Sequence, residues 1–384
     1  MRPVRAAVVL DHPAQQFVRA FQLLAAQPGL VTRVYYRETG EGGLPDPGFG
    51  RHVEWDIDLL GGYDSWAPER GLSRRRALRA AWRRLRADAP DVILCYGWGT
   101  PMARVTIAYA AVTGTPLLYY GDTTWQHSGS GRRQRVRAVV LRRLFRRAAG
   151  ALSTGTFNRE FYIGLGMDPA LIQPGVCPAD TDAFGAAARP DGERTAEAPF
   201  VITFAGKFIA SKAPEDLVRA AALLPRDRAW EVHLIGDGPT RPAVEDLVAE
   251  LDLGDRVRFL GFRNTSELPA LLASSDVVVV PSRTDLRVLV TIEAMAAGAV
   301  LVASSGTAVW GPGDLLQDGE TGLVYPVGDV EALAGALRRL HDDPALAARL
   351  AAAGRARAVD FGPEAFATSA ATALVHAAQS GTGG

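Results

Sequence analysis

Residues 276–306 hold two predicted strands with a helix between them, and this unit constrains the fold more than any other stretch. The run 277–280 is short, apolar and β-branched, which is typical of a parallel strand covered on both faces. Helical spacing begins near 288 and ends near 298, and a second strand over 299–303 follows directly. This order predicts a doubly wound parallel sheet, whose carboxyl edge collects anions at exposed helix N-termini.

The same alternation of strands and helices continues along the chain, and 384 residues exceed one ordinary core, so we expect two domains. We predict a first domain over 1–185, a linker over 186–199, a second domain over 200–361, and a final helix with a flexible tail over 362–384. The other predicted strands are 4–10, 30–36, 91–95, 116–120, 151–154, 200–205, 230–235 and 257–260. The other predicted helices are 16–26, 71–87, 101–113, 132–148, 213–224, 241–252 and 266–273.

Several classes of protein are excluded by what the sequence lacks. No Gly-rich dinucleotide fingerprint follows the first strand, which argues against a nicotinamide or flavin cofactor. No run of 18 apolar residues predicts a membrane span, and the N-terminus is a first strand instead of a signal peptide. Cys95 and Cys177 form no metal or disulfide pattern. We therefore expect a cytoplasmic protein.

The net charge of zero conceals two halves of opposite charge. Residues 1–185 carry a net charge of +8 and the remainder carries −8. A basic first half suits an acidic acceptor or peripheral contact with an anionic membrane surface. The alternative is that the arginines lie on solvated helix faces. We expect no nucleic-acid partner.

Lysine is almost absent from this chain. Of 42 basic residues, the only two lysines are Lys207 and Lys212, five positions apart. A compact ammonium suits a diphosphate where a planar guanidinium does not fit. The pair therefore indicates a phosphate-binding turn.

Two acids lie near the helix of the 276–306 unit. Asp285 precedes the helix and Glu293 lies one turn inside it, with its side chain leaning towards the helix N-terminus. Such carboxylates are poor phosphate ligands but good acceptors for sugar hydroxyls. The spacing from Asp285 to Glu293, together with the run EAMAAG over 293–298, resembles the retaining GT-B glycosyltransferases of family 4.

Three further segments resemble this family in order and spacing: FAGKFIASK at 204–212, LIGDGP at 234–239 and VRFLGF at 257–262. The resemblance implies an α/β protein of the GT-B fold, with two Rossmann-like doubly wound parallel-sheet domains facing a central cleft. The first would be the acceptor side and the second the nucleotide-sugar side, and the final helix would cross back to the first. It also implies a nucleotide-diphosphate sugar donor, a small-molecule or glycan acceptor, and no metal or other cofactor.

The resemblance assigns roles to residues of the second domain. Lys207 and Lys212 would balance the diphosphate, Asp285 would hold hydroxyls of the donor sugar, and Glu293 would hold those of the ribose. The remaining donor-binding positions would be Gly206, Gly236, Gly238, Phe262 beside the base, and the helix-start amides of Leu289 and Val290.

The first domain would hold the acceptor at the turns that end two of its strands. These positions are Asp11, His12, Asp122 and Thr123. The family often has a His where this chain has Asp122, so no His role follows for this position. His127, in the same loop, we interpret as a solvated residue.

Other departures from the family concern the donor loop. Its first acid is usually Glu where this chain has Asp285, and Arg287 and Val288 stand where an aromatic residue and a Gly are common. The departures at Arg287 and Val288 leave open a non-catalytic binding or scaffold protein. A second alternative, which would share the same fold, is a GT-B sugar-nucleotide epimerase or hydrolase.

Two Asp-x-Asp patterns raise the question of a metal. They occur at 56–58 and 180–182, and neither follows a strand of a suitable sheet. A three-residue pattern is common by chance. We therefore predict no metal site.

Overall fold

The computed structural model describes residues 2–39, 44–46, 48–49, 51–125, 132–188, 198–286 and 288–381. The chain forms two compact units. Unit 1 comprises Met1–Glu41, Asp58–Pro178 and Pro363–Gly384, and unit 2 comprises Gly42–Ile57 and Ala179–Gly362. His127 and Arg287 lie outside the described residues.

Fifteen strands and thirteen α-helices are found in the described residues. The strands are β1 (Val4–Leu10), β2 (Leu30–Tyr36), β3 (Leu44–Asp46), β4 (Arg51–Val53), β5 (Ser65–Trp66), β6 (Val92–Tyr96), β7 (Leu117–Gly121), β8 (Gly150–Ser153), β9 (Ile172–Pro174), β10 (Phe200–Ala205), β11 (Trp230–Ile235), β12 (Val257–Gly261), β13 (Val277–Val280), β14 (Val300–Ser304) and β15 (Gly322–Tyr325). The helices are α1 (Val18–Ala25), α2 (Arg74–Asp88), α3 (Pro101–Thr113), α4 (Arg132–Phe145), α5 (Thr156–Gly164), α6 (Thr181–Ala187), α7 (Pro214–Ala222), α8 (Arg241–Glu250), α9 (Leu268–Ala273), α10 (Leu289–Ala296), α11 (Val330–Asp342), α12 (Pro344–Ala358) and α13 (Pro363–Gly381).

Unit 1 is built on a seven-stranded parallel sheet with the order β5-β2-β1-β6-β7-β8-β9. Its strands are apolar along most of their length because helices cover both faces of a parallel sheet. Helix α13, the last of the chain, packs in this unit against α1. Phe366 of α13 joins Phe17, Phe21 and Tyr120 in one aromatic cluster. This burial holds the C-terminal helix in the unit formed by the start of the chain.

Unit 2 contains a six-stranded parallel sheet with the order β12-β11-β10-β13-β14-β15. Ile202, Val232, Leu234 and Val302 of its central strands are all completely buried. The strand order reverses between β10 and β13, so the connections on either side leave in opposite directions. In open α/β sheets, ligands bind outside the carboxyl ends of strands at such a reversal.

Each predicted strand and helix has a counterpart among the described elements, but the sequence does not predict helices α5, α6, α11 and α12. The strands predicted over 4–10, 30–36, 200–205, 230–235 and 277–280 have the predicted bounds. The short strands β3, β4, β5, β9 and β15 have no predicted counterpart, because two to four residues are too few to produce a clear hydrophobic period.

The two units divide the chain at residues that differ from the predicted domain limits. The sequence predicts 42–57 and 179–185 in the first domain, but both segments belong to unit 2. Helix α6 packs against α9 and α10, which explains why 179–185 is part of unit 2.

No helix in the described part of the chain combines the length and apolar composition that crossing a membrane requires.

Candidate functional site

The predicted donor residues lie in the loops after four neighbouring strands of unit 2 and in the first turns of helix α10. Gly206, Lys207 and Lys212 follow β10, and Asp285 follows β13, across the reversal in strand order. The remaining donor-binding positions follow β11, β12 or β13 in the same way; they are Gly236, Gly238, Phe262, Leu289, Val290 and Glu293. Parallel strands place their carboxyl ends at one edge, so the sheet brings together residues far apart in sequence.

Glycine is required where the loops after β10 and β11 meet. Gly236 has φ +129°, and a Cβ there would lie 1.8 Å from the carbonyl oxygen of Gly206. A Cβ on Gly238, at φ +151°, would lie 2.5 Å from the carbonyl oxygen of Phe208. Side chains at either position would push the two loops apart. The loop after β11 therefore lies directly against the backbone of Gly206.

Lys212 and Asp285 form an ion pair between the Nζ of the lysine and Oδ2 of the aspartate. The Ser282 hydroxyl donates to the same Oδ2 at 3.2 Å. The two charged side chains are only 22% and 10% exposed, so solvent screens their attraction weakly. The pair connects the loop after β10 to the loop after β13.

Lys207 is also engaged in an ion pair, with a partner that the sequence did not indicate. Its Nζ lies 2.7 Å from Oδ2 of Asp46 and 2.9 Å from Oδ1. Asp46 belongs to β3, which pairs antiparallel with β4 inside the 42–57 part of unit 2. The ammonium also lies 5.2 Å from the centre of the Phe49 ring, within cation–π range.

Aromatic residues surround the position expected beside the base. Phe262 contacts Phe49 edge to face, with ring centres 5.1 Å apart, and Trp55 at 6.0 Å. Nothing in the local pattern of 42–57 marked these two rings as neighbours of Phe262, because the contact joins segments about two hundred residues apart.

Helix α10 begins at Leu289, and the backbone amides of Leu289 and Val290 have no partner among the described residues. Val288, the residue before it, has a non-helical backbone with φ −117° and ψ 85°, and its side chain makes no capping hydrogen bond. The amides of Leu289 and Val290 therefore lie at an N-terminus that carries about half a positive charge.

Glu293 lies in α10 without a hydrogen bond or ion pair of its side chain among the described residues. Burial raises the pKa of its carboxyl to about 7, because no partner offsets the loss of water around the charged form. A hydroxyl or amide that donates a hydrogen bond to this buried carboxylate would stabilise its charged form.

A second ionic cluster, absent from the predicted site, holds the loop that carries Asp285. The Arg283 guanidinium donates to Oδ1 of Asp216 at 2.8 Å, and Arg219 lies 3.4 Å from the same oxygen. The Arg283 amide donates to the carbonyl of Ser211 at 2.7 Å. Asp216 is 2% exposed, its Oδ2 has no partner in the described residues, and burial raises the pKa of its carboxyl.

The predicted acceptor residues lie in unit 1 at the carboxyl ends of two strands. Asp11 and His12 follow β1, and Asp122 and Thr123 follow β7. Asp11 accepts from the Nε of Arg37 at 2.9 Å, while its Oδ1 is buried without a partner in the described residues.

The other acceptor-side positions lie close to backbone groups of their own unit. The His12 ring contacts the carbonyl of Pro13 at 3.0 Å, and the carbonyl of Thr123 accepts from Asn158 at 2.7 Å. Asp122 is half-buried.

Neither Asp-x-Asp pattern forms a cluster of ligands. Asp56 accepts from the backbone amide of Ser266, and Asp180 caps α6 by accepting from the amide of Ala183 at 3.2 Å. Within the described ranges, no three His, Cys, Asp or Glu side chains converge as metal ligands.

Two families match this chain in sequence. Residues 14–174 match the glycosyl transferase 4-like domain, and residues 188–357 match the glycosyl transferases group 1. A glycogen synthase of Mycobacterium tuberculosis is 31% identical over 303 residues, which cover 76% of this chain and 70% of that protein. An alpha-D-kanosaminyltransferase of Streptomyces kanamyceticus is 37% identical over 152 residues, 39% of each protein. The aligned part therefore spans well under half of that relative.

A solved structure shares the fold. Anabaena HepE in complex with UDP superposes with a TM-score of 0.73, covering 97% of this chain and 99% of that one, at 17% identity. The same neighbour in complex with UDP-glucose gives a TM-score of 0.70 at 17% identity and the same coverage. At this identity the likeness concerns the fold.

Proposed function

Because this chain belongs to the group 1 glycosyltransferases, we propose that it is a retaining, metal-independent enzyme that moves a sugar from a nucleotide-diphosphate sugar to an acceptor hydroxyl. The family and the GT-B fold class expected from the sequence are both confirmed. The retaining course, the independence from metal, the donor and the acceptor belong to the proposal.

One observation carries the proposal: the only two lysines of the chain lie in the loop after β10, at the sheet edge where α10 begins. A sugar-linked nucleoside diphosphate carries about two negative charges. Two ammonium groups and a helix N-terminus of about half a charge balance them. The balance matters most as the bond to the sugar breaks, since negative charge then builds on the leaving phosphate.

The proposed step is a substitution at the anomeric carbon. The bond from that carbon to the β-phosphate oxygen breaks, and a bond to the acceptor oxygen forms on the same face of the sugar. The acceptor's proton passes to the departing phosphate, so the products are the glycoside and the nucleoside diphosphate. We assign no residue as catalytic base. Lys207 and Lys212 stabilise the leaving group, and Asp285 and Glu293 orient the donor.

We propose a UDP-sugar as the first donor to test, because the structural neighbour was solved with UDP and with UDP-glucose. A thermal-shift panel of UDP-, GDP- and dTDP-sugars tests the donor. Ligand at a hundred times its dissociation constant should stabilise the protein by about 2.7 kcal/mol. The absence of a shift with every nucleotide would overturn the proposed donor site.

Metal independence is tested with a chelator. The lysines and the helix N-terminus supply the positive charge that a metal would supply, and Asp56 and Asp180 already accept hydrogen bonds from backbone amides. Turnover should therefore survive EDTA. Loss of activity with EDTA and recovery with magnesium or manganese would overturn this part.

The acceptor is proposed to be a hydroxyl of a glycan, a lipid-linked saccharide or a natural product, bound by unit 1. The buried Oδ1 of Asp11 supports this, because it can accept a hydrogen bond from a hydroxyl. Turnover of the donor with and without acceptors separates the alternatives. An epimerase or hydrolase consumes the donor without an acceptor, and a scaffold protein binds it without turnover.

We also propose that unit 1 contacts an anionic membrane through α4. Three valines lie close together on this helix and are exposed: Val136 by 62%, Val139 by 65% and Val140 by 53%. The exposed Arg142 and Arg143 follow them. Exposed apolar side chains beside arginines suit a negatively charged bilayer surface.

The cytoplasm is the proposed compartment, which is compatible with Cys95 and Cys177 being free thiols.

Replacing the three valines by serine tests the proposed membrane contact. Sedimentation with phosphatidylglycerol vesicles should fall to the level seen with phosphatidylcholine. Binding that is unchanged in the variant, or absent in the wild type, would contradict it.

A further inference from the structure

Residues 44–57, described except for 47 and 50, form a segment that we call the cover segment, and it packs in unit 2 against the proposed donor loops. A Cβ on Gly238 would lie 2.7 Å from the carbonyl oxygen of Gly48. A Cβ on Gly48 would lie 2.5 Å from Cδ of Lys207. The backbone of the cover segment thus lies directly on the glycine and the lysine expected to bind the diphosphate.

Asp46 gives the cover segment a chemical relation to the donor. Both of its carboxylate oxygens lie within 2.9 Å of the Lys207 ammonium, where the oxygens of a phosphate would bind. A carboxylate and a phosphate are interchangeable partners for an ammonium group, since both offer anionic oxygens as acceptors. The single positive charge of Lys207 cannot attract the Asp46 carboxylate and a donor phosphate as strongly as it would attract either one alone.

Phe49 and Trp55 extend the contact to the expected base position. Both rings touch Phe262, and the Phe49 ring also lies under the Lys207 ammonium. An aromatic group at the base and an anion at the phosphate lysine are the two features that a nucleotide would present. The cover segment presents both from within the chain.

The distal end of the cover segment is held by hydrogen bonds to unit 2. The Asn264 amide group donates to the carbonyl of Glu54 at 3.0 Å, and Ser266 donates to Asp56 from its backbone amide at 3.2 Å and from its hydroxyl. These contacts lie outside the lysine site, so they can persist while the Asp46 end moves.

We propose that Asp46 is an internal competitor for the donor: it neutralises Lys207 while the site is free and is exchanged for the donor diphosphate when the nucleotide binds. The proposal rests on the proposed function, because it takes Lys207 as the phosphate ligand. Its consequence is that the cover segment sets the donor affinity and prevents other anions from occupying the lysine.

Asp46→Asn tests the proposal through the affinity for UDP, measured by calorimetry with GDP and dTDP in parallel. Removing the competing charge should tighten binding about two- to fivefold, the range expected for a partly exposed ion pair. Asp46→Glu keeps the charge and should bind UDP as the wild type does. Asp252→Asn is the matched control, because it removes one negative charge from unit 2 at an exposed pair with Arg226.

A second comparison places the effect at Lys207. In a Lys207→Met background, Asp46→Asn should change UDP affinity no more than Asp252→Asn does. The ammonium for which Asp46 and the phosphate compete is absent from this background. Thermal melts of each variant identify any that fails to fold, and Asp46→Ser then replaces Asp46→Asn.

The outcomes distinguish a failure of the competitor role of Asp46 from a failure of the proposed donor site. If the wild type binds UDP and Asp46→Asn binds it no more tightly, the competitor role is overturned and the donor site stands. If tightening persists in the Lys207→Met background, the effect does not act through Lys207 and the proposal is again overturned. If no protein of the series binds any of the three nucleotides, the donor site itself is overturned, and the competitor role with it.

Discussion

The Nζ of Lys212 and the carboxylate of Asp285 form an ion pair across the reversal in strand order between β10 and β13. The family resemblance assigns these residues separate roles, Lys212 at the diphosphate and Asp285 at the sugar. Their contact means that each fixes the other's position. A donor bound here would meet an ammonium and a carboxylate that are already oriented, which lowers the ordering cost of binding.

Lys207→Ala and Lys212→Ala should each lower kcat/KM by about 10²–10³-fold, because each removes a charge-assisted contact to a leaving group whose charge grows in the transition state. Steady-state rates with the donor found in the binding panel provide the measurement. Arg226→Ala is the control, since Arg226 forms an exposed pair with Asp252. A lysine variant with near-normal rate would remove that lysine from the mechanism.

Asp285→Asn and Glu293→Gln should have different effects on turnover of the sugar nucleotide and on affinity for UDP. If Asp285 holds the donor sugar, Asp285→Asn lowers turnover of the sugar nucleotide far more than it lowers affinity for UDP. Glu293→Gln should weaken both, because the ribose is common to both ligands. Calorimetry with UDP and with the sugar nucleotide distinguishes them. Equal losses in Asp285→Asn would show that the aspartate acts only through Lys212 and the loop.

Stability should depend on pH through Glu293, whose pKa is raised to about 7 from an ordinary value of 4.5. Below pH 4.5 the carboxyl is protonated in both states. Between about pH 4.5 and pH 7 the unfolded chain has lost this proton while the folded protein still holds it. The contribution to stability therefore falls over this window, by about 3 kcal/mol, and is level at higher pH.

Glu293→Gln should remove that dependence. Its free energy of unfolding, relative to the wild type, should rise between pH 5 and pH 8 in denaturant titrations. Glu250→Gln, on the exposed face of α8, serves as the control. A difference that stays flat with pH would show that Glu293 is ionised without cost in the folded protein.

Asp216 should act as a positioning residue for the loop that carries Asp285. Asp216→Asn keeps the shape but loses the ion pair with Arg283, so the KM for the sugar nucleotide should rise about tenfold while UDP affinity changes little. Arg219→Ala removes the weaker partner of Asp216 and should leave KM unchanged. A KM unaffected in Asp216→Asn, or a purely thermal defect, would limit this cluster to stability.

The sequence by itself determined the fold class and the loops that carry the predicted donor residues. Apolar β-branched runs such as 200–205 and 277–280 specify buried parallel strands, and the carboxyl ends of such strands gather at one edge. Lys207, Lys212 and Asp285 could therefore be assigned to one edge without coordinates. These signals are local, because each depends on residues within about one element.

The tertiary structure alone decided which charges meet. Asp46 lies 161 residues from Lys207, and Asp285 lies 73 residues from Lys212. Hydrophobic periodicity records which face of an element is buried, but it carries no information about which distant carboxylate reaches a given ammonium. The raised pKa of Glu293 has the same origin, because it depends on desolvation by the packed fold and not on the neighbours of Glu293 in sequence.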